Sequence, residues 1–223
     1  MTGTVVSTQL IGNADDGDST TPPDRYGPTG NDRNAEDSKT KSSSSNPTFN
    51  KLGGHAEAET LNPGPNTITS DEARAASFNK VVSALKVKIA GKLKFQIDLD
   101  VRHPEIHGTA KLNITLKAGL LKNDGTDVPQ GGIINKSFRV ELNQSGSTII
   151  VIDGDANQAE QPDSNGNYQK VMTVPVGGVQ LQAGDYRLEF DLRVIATAST
   201  AENTETQANR ASVDSVSAKI SLR

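Results

Sequence analysis

The chain lacks cysteine and tryptophan, and aromatic residues make up only 4% of its 223 residues. The absence of cysteine excludes a disulfide framework and a thiolate zinc site. The shortage of aromatic rings argues against a sugar-binding module, because such modules normally stack rings on the saccharide.

Long apolar runs and an excess of basic charge are also absent. No run approaches the roughly 18 apolar residues of a membrane-spanning helix, and the start, MTGTVVSTQLIG, has neither the basic residues nor the apolar stretch of a secretory signal. The formal net charge of −4 gives no support for binding to nucleic acid. We therefore expect no membrane partner, no nucleic-acid partner and no cofactor.

Apolar residues are distributed unevenly along the chain. Before residue 70 the large apolar residues are chiefly Val5, Val6, Leu10, Ile11, Tyr26, Phe49, Leu52, Leu61 and Ile68. A segment this polar cannot bury enough surface to offset roughly 1–2 kcal/mol of backbone entropy per residue. The sequence predicts an extended polar N-terminal arm at residues 1–69 and a β-sandwich domain at residues 70–223. We expect the arm to order on neighbouring subunits through six apolar residues: Val5, Val6, Leu10, Ile11, Phe49 and Leu52.

From Leu85 onward apolar and polar residues alternate in segment after segment, most clearly from Tyr186 to Val194. Side chains alternate across a strand, so each segment predicts a strand with one buried face. The segments number seven or eight and are separated by turn residues. This pattern predicts an all-β fold, an antiparallel β-sandwich or jelly roll. The run LQAGDY at residues 181–186 resembles the tyrosine corner of Greek-key sandwiches, in which the phenol bonds to nearby backbone.

One segment has a helical signal. Thr69 and Glu72 form a capping-box pattern, and apolar residues follow at helical spacing. This predicts one short helix at about residues 70–83; the competing interpretation is a strand that begins at Val81.

Two polar loops contain metal-ligand residue types. Asp153, Asp155 and Asn157 open like a calcium loop, but the later EF-hand positions do not match. His103, Glu105 and His107 occupy alternate positions and could together hold a divalent ion, but Pro104 and Gly108 indicate a turn, and an exposed polar loop is the preferred interpretation. The sequence assigns no metal site; the 154–167 loop is where calcium would bind if the protein takes it.

Four lysines, at positions 86, 88, 92 and 94, fall on one side of the alternating pattern. They could meet an acidic partner such as the arm of a neighbouring copy, or they could protect a strand from aggregation. No serine nucleophile motif accompanies the three histidines, so no catalytic residue is assigned and the protein is not expected to be an enzyme.

A β-sandwich with a long N-terminal arm resembles virion accessory proteins of tailed phages, the capsid cement or decoration proteins. This resemblance covers architecture and composition only and transfers no functional residue. It implies a structural virion protein that binds major capsid or other assembly subunits, forms a homo-oligomer (most often a trimer) and is made in the host cytoplasm. The alternative is a secreted or bacterial-surface sandwich that binds calcium or carbohydrate at the 154–167 loop.

Overall fold

The structure, a computed structural model, describes residues 5–10, 24–26, 33–43, 49–60, 71–200 and 209–222. These residues form fourteen β-strands and no helix. The strands are β1 (Val5–Leu10), β2 (Asp24–Tyr26), β3 (Arg33–Ser43), β4 (Phe49–Thr60), β5 (Asp71–Val87), β6 (Gly91–Arg102), β7 (Glu105–His107), β8 (Ala110–Lys122), β9 (Asp127–Leu142), β10 (Thr148–Ile152), β11 (Asp155–Glu160), β12 (Asn167–Leu181), β13 (Gly184–Thr200) and β14 (Asn209–Leu222).

The strands form two sheets in which every pairing is antiparallel. The eight-stranded sheet has the order β1-β5-β13-β8-β9-β10-β11, with β2 also paired to β5. The six-stranded sheet has the order β12-β6-β14-β4-β3, with β7 paired to β14. The two sheets pack face to face and confirm the predicted all-β antiparallel sandwich.

The core lies between the sheets and follows the predicted alternation. On β6 the buried residues are Phe95, Ile97, Leu99 and Val101, and on β13 they are Tyr186, Leu188, Phe190, Leu192 and Val194. Three further strands supply Leu112, Ile114, Leu116, Phe138, Val140, Ala218 and Ile220. The intervening residues on these strands are polar and partly or fully exposed, so one face of each sheet is buried and the other is wet.

The tyrosine corner is present. Tyr186 is 8% exposed, its hydroxyl donates to the Gln182 carbonyl at 3.0 Å, and it accepts from the Gln182 backbone N–H at 3.2 Å. Gly184 lies between them. The bond holds the turn that leads from β12 into β13.

The predicted helix at residues 70–83 is wrong. Residues 71–87 form β5, which pairs with β13 along its whole length, from Asp71 opposite Thr200 to Val87 opposite Gly184. A capping box is a local preference that is worth about 1 kcal/mol. A ladder of this length outweighs it, because tertiary pairing routinely overrides local propensity.

Part of the predicted arm lies in the sheets. Strand β4 pairs with β14 over most of its length, and Leu52 is 1% exposed within the core cluster. Leu52 therefore packs inside its own chain and is not free to dock on a neighbour. Val5, Val6 and Leu10 belong to β1, which pairs with β5, and Phe49 opens β4. Ile11 lies outside the described residues.

Candidate functional site

A polar cleft of about 280 Å³ opens where β6 ends and β12 begins. Three connections line it: the segment around His103 and Glu105, the start of β10 at Ser147 and Thr148, and the loop from Gln161 to Gly166. The third of these, the Gln161–Gly166 loop, is the final part of the 154–167 segment, where the alternative function would place a ligand. The first part of that segment, Asp155–Glu160, is not a loop but strand β11, which pairs back on β10.

His103 is fixed at the wall of this cleft by its backbone and by its ring. Its backbone has a positive φ of 44°, and its N–H donates to the Gly166 carbonyl at 3.1 Å. Its Nδ1 lies 2.6 Å from a carboxylate oxygen of Asp214 on β14. Gly166 has φ of +74°, and a Cβ there would lie 3.1 Å from the His103 ring, so glycine is required for this close approach.

Asp163 shapes the loop on the other side of the cleft. Its Oδ1 accepts the backbone N–H groups of Asn165 and Asn167, each at 2.9 Å, in an Asx-type turn. The first two residues of β12 then bury polar atoms: Asn167 Oδ1 and the Tyr168 hydroxyl have no hydrogen-bond partner among the described residues. Burial, followed by the nearby Glu160 carboxylate, raises the pKa of Tyr168 well above its usual value.

The His103–Glu105–His107 ligand set is not assembled. His103 bonds Asp214, whereas His107 Nε2 lies 3.9 Å from the Glu105 carboxylate on the exposed side of β7. No group of three histidine or acidic side chains suited to a metal occurs in the described part of the chain.

The three residues of the predicted calcium loop are engaged in local bonds. Asp153 forms an ion pair with Lys136, and its Oδ1 accepts the Ser137 N–H at 3.1 Å. Partial burial alone would raise the pKa of Asp153, but these hydrogen bonds and the lysine charge outweigh it and lower the pKa. Asp155 Oδ1 accepts both the backbone and the side-chain N–H of Asn157, at 2.9 and 3.0 Å. A lysine ammonium therefore occupies the position in which a cation would meet Asp153.

The four lysines do not share one face. Lys86 belongs to β5 in the eight-stranded sheet, Lys92 and Lys94 belong to β6 in the six-stranded sheet, and Lys88 lies in the turn between the two strands. The sequence pattern keeps its parity across that turn, but the chain changes sheets there. The outer faces of the two sheets point in opposite directions, so the lysines form no single patch.

The surface that the sequence did not single out is the free edge of β12. This strand pairs with β6 on one side, and none of the other described strands pairs with its second side. Its pairing is regular from Asn167 to Val174 and then shifts between Val174 and Val179, around a cis Val174–Pro175 bond. Val171 is 65% exposed and Val176 is 87% exposed. Pro175 was the available sequence signal, because proline within a sheet is confined to edge strands and bulges.

Comparisons with known proteins add little. No family model and no curated protein matches the chain. One solved structure to which the chain is similar is that of TmCBM27, a carbohydrate-binding module described for specific mannan recognition. The match covers 97% of this chain and 98% of that chain, at 12% sequence identity and a TM-score of 0.29. A likeness this distant carries no argument about function. In the described part of the chain, no helix is long and apolar enough to cross a membrane.

Proposed function

We propose that the protein is a non-enzymatic structural subunit of a larger assembly, of the virion accessory type (capsid cement or decoration) that its architecture resembles. The observation that supports this proposal is the open edge of β12 with its exposed valines. An open strand edge offers a row of backbone donors and acceptors to another chain, and natural proteins usually protect such edges with charge, proline or bulges.

The regular part of β12 has little of that protection. In the segment Asn167–Val174 the one charged residue is Lys170, and its ammonium forms an ion pair with Glu160. The exposed side chains, Gln169, Val171 and Thr173, are neutral. A partner strand added here would gain main-chain hydrogen bonds and would cover Val171 without having to desolvate a free charge.

Cosedimentation tests this function. We expect the wild-type protein to migrate with particles prepared from its source on a sucrose gradient, and Val171→Lys to remain at the top, because a charge on the edge opposes strand addition. Ser217→Lys is the control, since it places the same charge on a half-exposed position of β14, a strand that is paired there on both sides, with β4 and β6. A wild-type protein that does not migrate with any particle would overturn the proposal.

A second candidate function is ligand binding at the polar cleft, because the cleft unites the predicted loop with His103, Glu105 and Asp163. These side chains could hydrogen-bond a small polar ligand such as a saccharide or could contact calcium. None of the described residues that line the cleft has an aromatic ring on which a sugar could stack, which is why this function ranks second. A ligand that binds only the folded protein raises its melting temperature; melts with calcium, EDTA and saccharides should show no shift if the structural role is the whole function.

A further inference from the structure

The free edge of β12 is nearly self-complementary. Its exposed residues, Gln169, Val171 and Thr173, alternate with the partly buried Lys170 and Met172. Among the described terminal strands, β1 (VVSTQL) is also uncharged, but its pairing with β5 is irregular between Val5 and Ser7. Strands β3 and β11 both carry several acidic or basic residues, in the sequences RNAEDSKTKSS and DANQAE. Two copies of either of those strands would bring charged residues together, whereas two copies of β12 would not.

The regular segment also fixes how two copies would meet. The ladder with β6 is uninterrupted up to Val174; the register then shifts, and pairing resumes only at Val179. An antiparallel pair of identical strands is related by a two-fold axis, so residues equally distant from the axis face each other. With the axis at Val171, the symmetric segment runs from Tyr168 to Val174 and ends at the irregularity.

This register satisfies the cross-strand rules. Val171 faces its own copy, Gln169 faces Thr173, and Lys170 faces Met172. Like charges directly opposite each other destabilise antiparallel pairs, and this register contains none. An axis at Lys170 would instead place two lysines opposite each other. In the six-stranded sheet Val171 is paired with Asp98 on β6, and Asp98 is paired with Lys219 on β14. The negative and positive charges next to Val171 therefore balance within each copy.

We propose that the β12 edge pairs with the β12 edge of a second copy of this chain about a two-fold axis at Val171, joining two six-stranded sheets edge to edge. This inference rests on the proposed structural function and names the first partner in the assembly. It makes the building block a dimer, whereas the phage resemblance implies a trimer.

A single introduced cysteine tests the register directly, because the natural chain has none. We expect purified Val171→Cys to form a disulfide-linked dimer under mild oxidation, since Cα atoms of directly opposed antiparallel residues lie within disulfide reach. The control is Lys117→Cys: Lys117 is also exposed, but its strand β8 is paired on both sides, with Asp191 and Asn135 as its neighbours. Equal cross-linking of the two variants, or no cross-linking of the Val171→Cys variant, would overturn the inference.

Sedimentation velocity of purified protein provides the second measurement and does not depend on cysteine chemistry. We expect the wild type to be dimeric, Val171→Lys and Val171→Glu each to be monomeric, and an equimolar mixture of the two to recover a dimer, because opposite charges then meet at the axis. A monomeric wild type, or no recovery in the mixture, would contradict self-pairing. If self-pairing fails while Val171→Lys still prevents migration with particles, the inference falls and the structural function stands, with another chain on the edge.

Discussion

Strands β12 and β13 follow one another in the chain, and both carry a buried tyrosine near their start, yet the fold uses them in opposite ways. β13 is paired with β5 over all of its length and with β8 over most of it. Among the strands that the structure describes, β12 is paired with β6 alone, and that pairing is interrupted before it ends. Apolar alternation is therefore not enough to make a central strand. A strand becomes central when neighbours satisfy its backbone on both sides, and among the described strands β12 has such a neighbour on one side only.

The largest difference between the two strands is expected from truncating a side chain on each. Phe190 on β13 is fully buried, so Phe190→Ala should lower the free energy of unfolding by about 3–5 kcal/mol, through lost transfer energy and a cavity. Val176→Ala on β12 should change it by no more than about 0.5 kcal/mol, since that side chain is 87% exposed. Urea unfolding followed by circular dichroism measures both. Comparable losses would show that β13 does not organise the core.

The next largest change in the free energy of unfolding is expected at a polar contact between β13 and the opposite sheet. Asn209 on β14 is 3% exposed; its Oδ1 accepts the Thr109 N–H at 2.8 Å and its Nδ2 donates to the Ser199 carbonyl at 2.9 Å. Asn209→Ala removes both bonds and should cost about 1–3 kcal/mol. Asn135→Ala, at an exposed position of β9, is the matched control and should cost little. An Asn209→Ala variant as stable as the wild type would mean that this bridge between the sheets adds nothing.

How much of this contrast the sequence could reveal depends on the physics of each feature. The alternation that predicts a strand at Tyr186–Val194 is local, and the structure has β13 there. The tyrosine corner joins residues four positions apart and was likewise predictable. Local signals fail where distant pairing decides. The capping box predicted a helix where pairing with β13 makes residues 71–87 a strand. The four lysines lie in different sheets because the chain passes from one sheet to the other at the turn between β5 and β6.

The candidate sites were harder to predict than the fold. His103 and Asp214 are 111 positions apart, so no sequence spacing could indicate that they bond. The free edge of β12 is a property of strand order, which only the complete topology fixes; Pro175 was the one local hint. Asp153, Asp155 and Asn157 were only candidate calcium ligands, and nothing in the sequence places Lys136 beside Asp153.

The two tyrosines allow the sharpest comparison, because the same substitution can be made in each strand. Tyr186→Phe removes the hydroxyl that bonds Gln182 and should cost about 1 kcal/mol. Tyr168→Phe removes a buried hydroxyl that lies near the Glu160 carboxylate but makes no hydrogen bond of normal geometry within the described structure, so its effect should be small and below that of Tyr186→Phe. Thermal and urea unfolding of both variants measures the difference. A larger loss from Tyr168→Phe than from Tyr186→Phe would reverse the assignment of the two hydroxyls.

The smallest effect concerns the terminal strand of the other sheet, β11, whose entry turn is held by the Asp153–Lys136 ion pair. The pKa of Asp153 in the folded protein lies below its usual 3.8. A carboxyl with a lowered folded pKa contributes stability that is complete above the unfolded pKa and is lost as pH falls through the folded value. Asp153→Asn should therefore cost about 0.2–1 kcal/mol at pH 7, the range for partly exposed pairs, and the cost should shrink below about pH 4. Asparagine also tolerates the positive φ of 55° at this position, so backbone strain does not confuse the result.

Lys136→Gln is the matched control: it should show the same loss at pH 7, and the double variant should lose little more. A loss of stability from Asp153→Asn that is the same at pH 7 and pH 3 would mean that the Asp153 charge does not stabilise the turn before β11.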